Sequence, residues 1–229
     1  MRYAFAGLAS LAAVLITTSA QAEVTAQSGE GFVSRNVATV PADARQVWLK
    51  LIAPGEWWNQ GHTFSGDSAN LTLTPQGGGC FCETLPEPEE EDRARPGLAG
   101  SVQHMRVIYA EPDKALRMRG GLGPLQSEPI DGVLTITLLE NRNRTGTQVL
   151  FEYVVGGFMR FETEEIAKAV DAVMAQQLQG LAVSLGAKPP AASTRTRPAA
   201  ESETAEPADE ADEPETDSES VEDAFGDLE

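Results

Sequence analysis

The stretch TEEIAKAVDAVMAQQLQGLAVSLG, residues 163 to 186, places apolar side chains at Ile166, Val170, Val173, Leu178, Leu181 and Leu185. That recurrence is the period of a helix with one buried stripe, with Thr163 expected as its N-cap and Gly186 as the residue that ends it. A helix of this length is a rod roughly 30 Å long. Most of the chain before it alternates at the period of a strand, so the stripe has to be buried against a sheet.

The strand signals follow one another in short steps. GFVSRNVATV, residues 31 to 40, alternates until Pro41 closes it. PADARQVWLKLIAPGEWWN then predicts a short helix in which Val47, Trp48 and Leu51 share a face, ended by Pro54 and Gly55. ANLTLTP and GGGCFCETLP read as two further strands, and the polar loop EPEEEDRARPG leads to SVQHMRVIYAEP. On the last of these, Gln103, Met105, Val107 and Tyr109 form the more apolar face and His104 falls with Val102 and Arg106 on the polar one. ALRMRGG turns Leu116 and Met118 inward. GVLTITLLE and TQVLFEYVV form a hairpin about Asn141, Asn143 and Gly146, with Leu134, Ile136 and Leu138 facing one way on its first strand and Val149, Phe151, Tyr153 and Val155 on its second.

Both ends differ in composition from this middle. MRYAFAGLASLAAVLITTSAQAEV has one positive charge, a short apolar run and an Ala-Gln-Ala site, the pattern of a secretory signal peptide cleaved after Ala22. A periplasmic or secreted location is therefore expected, with no stable membrane anchor, because no second apolar run is long enough to span a bilayer. Residues 200 to 229 hold fourteen acidic and no basic side chains within a chain of net charge −18, a composition that favours disorder. The expected organisation is a signal peptide over 1–22, a short lead over 23–30, one folded domain over 31–187 and an acidic tail over 188–229. Val221, Phe225 and Leu228 make the tail a candidate for docking on a protein partner. Nucleic acid is not an expected partner, since no basic footprint is present.

Residues 40 to 58 carry a resemblance. VPADARQVWLKLIAPGEWW is similar to the opening of SRPBCC proteins, the superfamily of START lipid-transfer domains, polyketide cyclases/dehydrases and the homology domain of heat-shock-chaperone ATPase activators. HMRVIYAEPDKALRMRGGLGPL and GTQVLFEYVVGG resemble the central strands and hairpin of the same proteins, so the likeness runs from about Gly31 to Gly186. It implies an α+β helix-grip fold, a strongly bent antiparallel sheet of about six to seven strands wrapped around a long C-terminal helix, with two short helices after the first strand. It also implies a cavity between sheet and helix, and hence a hydrophobic small molecule, a lipid or a polyketide, as ligand.

From the inward faces, the expected lining is Met105, Tyr109, Met118, Ile136, Phe151 and Tyr153, with Trp57 and Trp58 near one end by resemblance. The alternative is that all of them are packed core. A complete catalytic constellation is not legible: there is no nucleophile elbow, phosphate loop or paired-histidine motif, and no cofactor is implied. Glu83 and His104 are the weak candidates for catalysis, as cross-strand acid and base in a cyclase- or dehydratase-like enzyme. GGLGPLQSEP, residues 120 to 129, is either a rim loop over the cavity or a plain connection. Glu87, Glu89, Glu90, Glu91 and Asp92 lack the spacing of a calcium loop, and no metal is expected there.

Cys80 and Cys82 are the only cysteines. Two residues apart on an extended strand, their side chains are roughly 6.6 Å apart, whereas a disulfide needs Cβ atoms roughly 3.8 Å apart. Three readings stay open: buried thiols, a labile disulfide formed if the glycines at 77 to 79 allow a bulge, or half of a metal site.

Overall fold

A computed structural model describes residues 21–87, 99–141 and 146–189. The apolar leader before residue 21, most of the acidic loop, Asn143 and the acidic tail from residue 190 lie outside the described residues.

Eight strands form one antiparallel sheet: β1 (Gln21–Ser28), β2 (Gly31–Val40), β3 (Leu71–Leu73), β4 (Cys80–Leu85), β5 (Gly100–Glu111), β6 (Ala115–Arg119), β7 (Ile130–Glu140) and β8 (Thr147–Gly157). Their order is β1-β2-β8-β7-β6-β5-β4-β3, so the only long step along the chain is from β2 across the sheet to β3, after which neighbouring strands lead back to β8 beside β2. Two α-helices complete the fold, α1 (Ala44–Leu51) and α2 (Thr163–Ser184). The architecture is α+β and compatible with a helix grip, with eight strands where about six to seven were expected. The extra strand is β1, in the segment read as a lead. It turns at Gly29–Glu30 and pairs with β2 from Ser28↔Gly31 to Gln21↔Val37.

The two short helices expected after the first long strand are one α-helix followed by three single 3₁₀ turns at Pro54–Glu56, Gln60–His62 and Ser68–Asn70. Asp43 starts α1 with a capping box: its side chain accepts from the Gln46 amide, and the Gln46 side chain accepts from the Asp43 amide. α1 buries Val47, Trp48 and Leu51.

The N-cap of α2 falls one residue earlier than expected. Glu162 holds the N-cap position without a side-chain bond, and Thr163 instead donates to the Gly29 carbonyl at 3.3 Å, tying the helix to the β1–β2 turn. Its other end is a Schellman close, with the Gly186 and Ala187 amides bonded to Val183 and Ala182 and Gly186 at φ 87°. The helix lays Ile166, Ala167, Val170, Met174, Leu178 and Leu181 on the sheet, chiefly over β2. Near its end it passes so close to the α1 connection that a Cβ on Gly180 would sit 2.4 Å from the Trp57 carbonyl oxygen.

The inward faces of β6, β7 and β8 follow the alternation in the sequence: Leu116, Met118, Leu134, Ile136, Leu138, Val149, Phe151, Tyr153 and Val155 are all buried. β5 does not. Against β4, Phe81 faces Met105 and Cys82 faces Gln103, so His104 is an extra residue. Against β6, Val107 faces Met118 and Tyr109 faces Arg117, so Ile108 is a second one. Each β-bulge reverses the parity of the strand. As a result His104, expected on the polar face, is buried beside Met105, and Tyr109, expected inside, is exposed.

Candidate functional site

The bulge at His104 builds the site. Turned inward, the imidazole meets the Glu83 carboxylate of the neighbouring strand, Nε2 to Oε2, at 2.8 Å. Glu83 is buried, and its carboxylate also accepts the backbone amides of Phe64 and Ser65. Burial opposes its charge, but the hydrogen bonds from Ser65, Phe64 and His104 outweigh that and hold its carboxyl below the ordinary value. A carboxylate with those partners can only accept, so Nε2 of His104 carries the hydrogen. The other ring nitrogen, Nδ1, faces the amide nitrogen of Gln126 at 3.2 Å, where it can accept from that NH₂ group.

Beside this pair lies a cavity of about 660 Å³, within the size range of small-molecule sites. One wall is α2, through Ile166, Ala169, Val170, Val173 and Met174. The opposite wall is the loop after α1, through Trp58, His62, Thr63 and Phe64. The rim is the connection from β6 to β7, through Leu122, Gly123, Pro124, Gln126 and Ser127. His104 reaches the cavity between these walls, with Glu83 behind it. The surface is mostly hydrocarbon and aromatic, with its ring nitrogens and amide supplied by His62, His104 and Gln126.

Each wall is fastened. The loop after α1 is held to α2 by the Asn59 amide on the Gln177 side chain at 2.9 Å and by His62 on Gln176 at 3.1 Å. The rim contains a 3₁₀ turn at Gly123–Ser127, tied down by Tyr153, whose hydroxyl donates to the Gly120 carbonyl at 3.0 Å and accepts the Leu122 amide at 3.2 Å. Burial lifts the Tyr153 hydroxyl well above the ordinary tyrosine pKa, so it stays a donor. Glu128, just beyond the rim, takes the Arg160 backbone amide at 2.8 Å and its guanidinium at 2.9 and 2.6 Å, which joins the rim to the chain entering α2. That guanidinium holds the Glu128 carboxyl below its ordinary value.

Of the residues expected to line a cavity, Trp58 does so. Trp57, Met105, Met118, Ile136, Phe151 and Tyr153 are buried core, away from this lining. Tyr109 lies on the outer face, with its hydroxyl on Glu111 and Arg117 against its ring. The core aromatics nevertheless lead to the site: ring centroids step from Phe151 to Trp57 at 6.4 Å, Trp57 to Trp58 at 5.4 Å, Trp58 to Phe81 at 5.2 Å and Phe81 to His104 at 5.1 Å. The weak catalytic candidates, Glu83 and His104, are the ones brought together. Val170 and Val173, legible in the sequence only as part of a helical stripe, supply the helix wall; Gln126 belongs to the 120–129 segment expected as either a rim loop or a plain connection, and Phe64 carries no signal in the sequence.

The two cysteines are joined as a disulfide, with Cα atoms 5.4 Å apart. They are half-buried on the outer face of β4, while Phe81 and Glu83 point inward. Among the described residues no cysteine is free and no group of three side chains is placed to hold a metal ion. No helix among them is long and apolar enough to cross a membrane.

These features describe an α+β protein with a largely apolar cavity and a carboxylate–histidine pair at its edge. No protein-family profile matches the chain. No curated protein sequence matches it either. Its backbone is similar to that of CalU16 from Micromonospora echinospora, at 15% identity and a TM-score of 0.46 over 75% of this chain and 87% of that one. A protein from Rhodobacter sphaeroides is similar at 20% identity and a TM-score of 0.43, over 72% of this chain and 97% of that one. One from Mycobacterium smegmatis is similar at 14% identity and a TM-score of 0.44, over 75% and 98%.

Proposed function

We propose that this is an exported binding protein that holds a hydrophobic small molecule, lipid-like or polyketide-like, in the cavity between α2 and the loops at the edge of the sheet. The observation that carries the reading is the cavity of about 660 Å³ with a mostly apolar lining and a hydrogen-bonded histidine–glutamine pair, His104 and Gln126, among its few polar groups. An apolar ligand gains roughly 25 cal/mol for each Å² it buries there. A hydroxyl or carbonyl on it is met by the histidine–glutamine pair, which fixes its orientation. Export rests on the leader sequence alone, and the acidic tail stays a candidate surface for a protein partner.

The test is calorimetric titration of the full chain with palmitate and with a tricyclic aromatic polyketide, beside an Ala169→Trp variant. Ala169 is an exposed helix position on the cavity wall, so an indole there fills the space without disturbing the core. Saturable binding that the variant abolishes supports the reading. Absence of binding by the wild-type chain overturns it.

The Glu83–His104 bond favours a second reading, an enzyme of cyclase or dehydratase type in the same cavity. Once a ligand displaces Gln126, Nδ1 takes a proton from an acidic C–H or O–H, the Glu83 carboxylate stabilises the imidazolium, and the proton is returned to a departing hydroxyl. Incubation of bound ligand followed by mass analysis separates the two readings: loss of water that depends on His104 favours the enzyme, and recovery of unchanged ligand favours the carrier.

A further inference from the structure

We infer that the Cys80–Cys82 disulfide is a redox control on the polar end of this cavity: it shortens β4 so that His104 bulges inward onto Glu83, and its reduction releases that contact. The inference rests on the ligand-binding reading for its consequence, and its geometry is independent of that reading.

Three observations meet at one level of the sheet. First, the bridged residues have Cα atoms 5.4 Å apart, whereas two steps of extended strand span roughly 6.6 Å. The bond therefore contracts β4 at this point. Second, the contraction lies directly opposite the bulge. From Cys80 to Cys82 the strand takes two steps, while its partner takes three, from Arg106 to Gln103. The contraction is about a third of one residue's rise, so it adds to the mismatch that the bulge takes up, and the extra residue there is His104. Third, the side chains that hold His104 inward are the neighbours of the bridge. Phe81, between the two cysteines, stacks on the imidazole with centroids 5.1 Å apart, and Glu83, next after Cys82, bonds its Nε2 at 2.8 Å.

The outer face of β4 thus carries the disulfide and the inner face carries the groups that set the site. Both sulfurs belong to half-buried residues, within reach of a small thiol. The chemical step needs an external dithiol. Its thiolate attacks one cysteine sulfur, the Cys80–Cys82 bond breaks, and the mixed disulfide is resolved by the second thiol of the reductant. Two electrons and two protons pass to the cysteines and the reductant leaves as its cyclic disulfide. Reduced, β4 can extend, the two-against-three pairing loses the contraction that favours it, and His104 is freed to return to the strand alternation that places it outside. The cavity then loses its histidine, and Glu83 keeps only the Phe64 and Ser65 amides to offset its charge, a poorer site for a neutral ligand.

The experiment compares the full chain before and after dithiothreitol, with thiols counted, histidine side-chain ¹⁵N shifts recorded, and palmitate affinity measured. A Cys80→Ser/Cys82→Ser variant serves as a reductant-insensitive reference. The expected result is two titratable thiols, loss of the His104 Nε2–H carboxylate signature, and affinity weaker by about tenfold, the scale of one charge-assisted hydrogen bond. The variant should resemble the reduced protein in both oxidising and reducing buffer. If the variant does not fold, the wild-type comparison decides alone. Two released thiols with unchanged His104 shifts overturn the inference, as does a bond that dithiothreitol leaves intact in the folded protein. Absence of palmitate binding in both states counts against the ligand-binding reading, while the His104 shifts still judge the coupling.

Discussion

Replacing Glu83 by glutamine keeps the shape of the polar end and removes its charge. In the wild-type protein the carboxylate accepts from three donors, the Phe64 and Ser65 amides and His104 Nε2. A glutamine has one accepting oxygen, and its NH₂ group meets a donor wherever the second oxygen was used. At least one buried donor is left without a partner, at a cost of about 1–3 kcal/mol, and the loss of charge from the remaining bonds adds about 1 kcal/mol. The expected destabilisation is about 2–4 kcal/mol, a fall in Tm of about 5–10 °C for a domain near 150 residues. The pH dependence gives a second readout. The folded-state pKa of Glu83 lies below its ordinary value of 4.5, so its contribution to stability is fully present above that value and is lost as pH falls through the folded pKa. Urea unfolding at neutral pH and through the acid range measures both. The wild type should lose stability below the ordinary carboxylate range, and Glu83→Gln should lose less over the same range. A variant within about 0.5 kcal/mol of wild type, with the same acid limb, would refute the network as drawn.

Other expectations follow from the same geometry. Gly180→Ala gains about 1 kcal/mol of helix propensity, but its methyl meets the Trp57 carbonyl oxygen at 2.4 Å, and overpacking of about 1–3 kcal/mol should leave the variant less stable in urea unfolding. A variant more stable than wild type would show that the loop after α1 yields easily. Tyr153→Phe removes the hydroxyl that holds Gly120 and Leu122, so stability should fall by about 1–2 kcal/mol and the Leu122 amide should exchange faster with solvent. Unchanged exchange at Leu122 would mean that the rim is held elsewhere. Asp43→Ala removes the capping box of α1 and should cost about 1 kcal/mol in thermal or urea unfolding, with no effect on ligand affinity.

Much of the fold can be read from periodicity because most strands here are regular. β6, β7 and β8 have one buried face and no interruption, so alternation in the sequence becomes alternation in space, and Leu116, Ile136 and Phe151 are where they were expected. β5 defeats the same method twice. A bulge is a property of the pairing between two strands, and one strand's sequence does not contain it. The extra residues at His104 and Ile108 each reverse the faces, which brings His104 in and sends Tyr109 out. The cavity was misplaced for a related reason. Inward residues in mid-sheet, such as Met118 and Ile136, are close-packed as core. The open space lies where α2 faces loops, and loop residues such as Phe64 and Gln126 carry no periodic signal. β1 gives only a weak signal in the sequence, because Val24 is the one large apolar residue in QAEVTAQS and the strand pairs only as an edge.

The central claim is that the cavity holds an apolar ligand, and native mass spectrometry of the full chain purified from its own cells tests it most directly. The account predicts a fraction of the protein carrying one additional small, organic-extractable molecule, which Ala169→Trp protein prepared in the same way lacks. Protein that is uniformly ligand-free, and that takes up neither fatty acid nor aromatic polyketide after incubation, would contradict it.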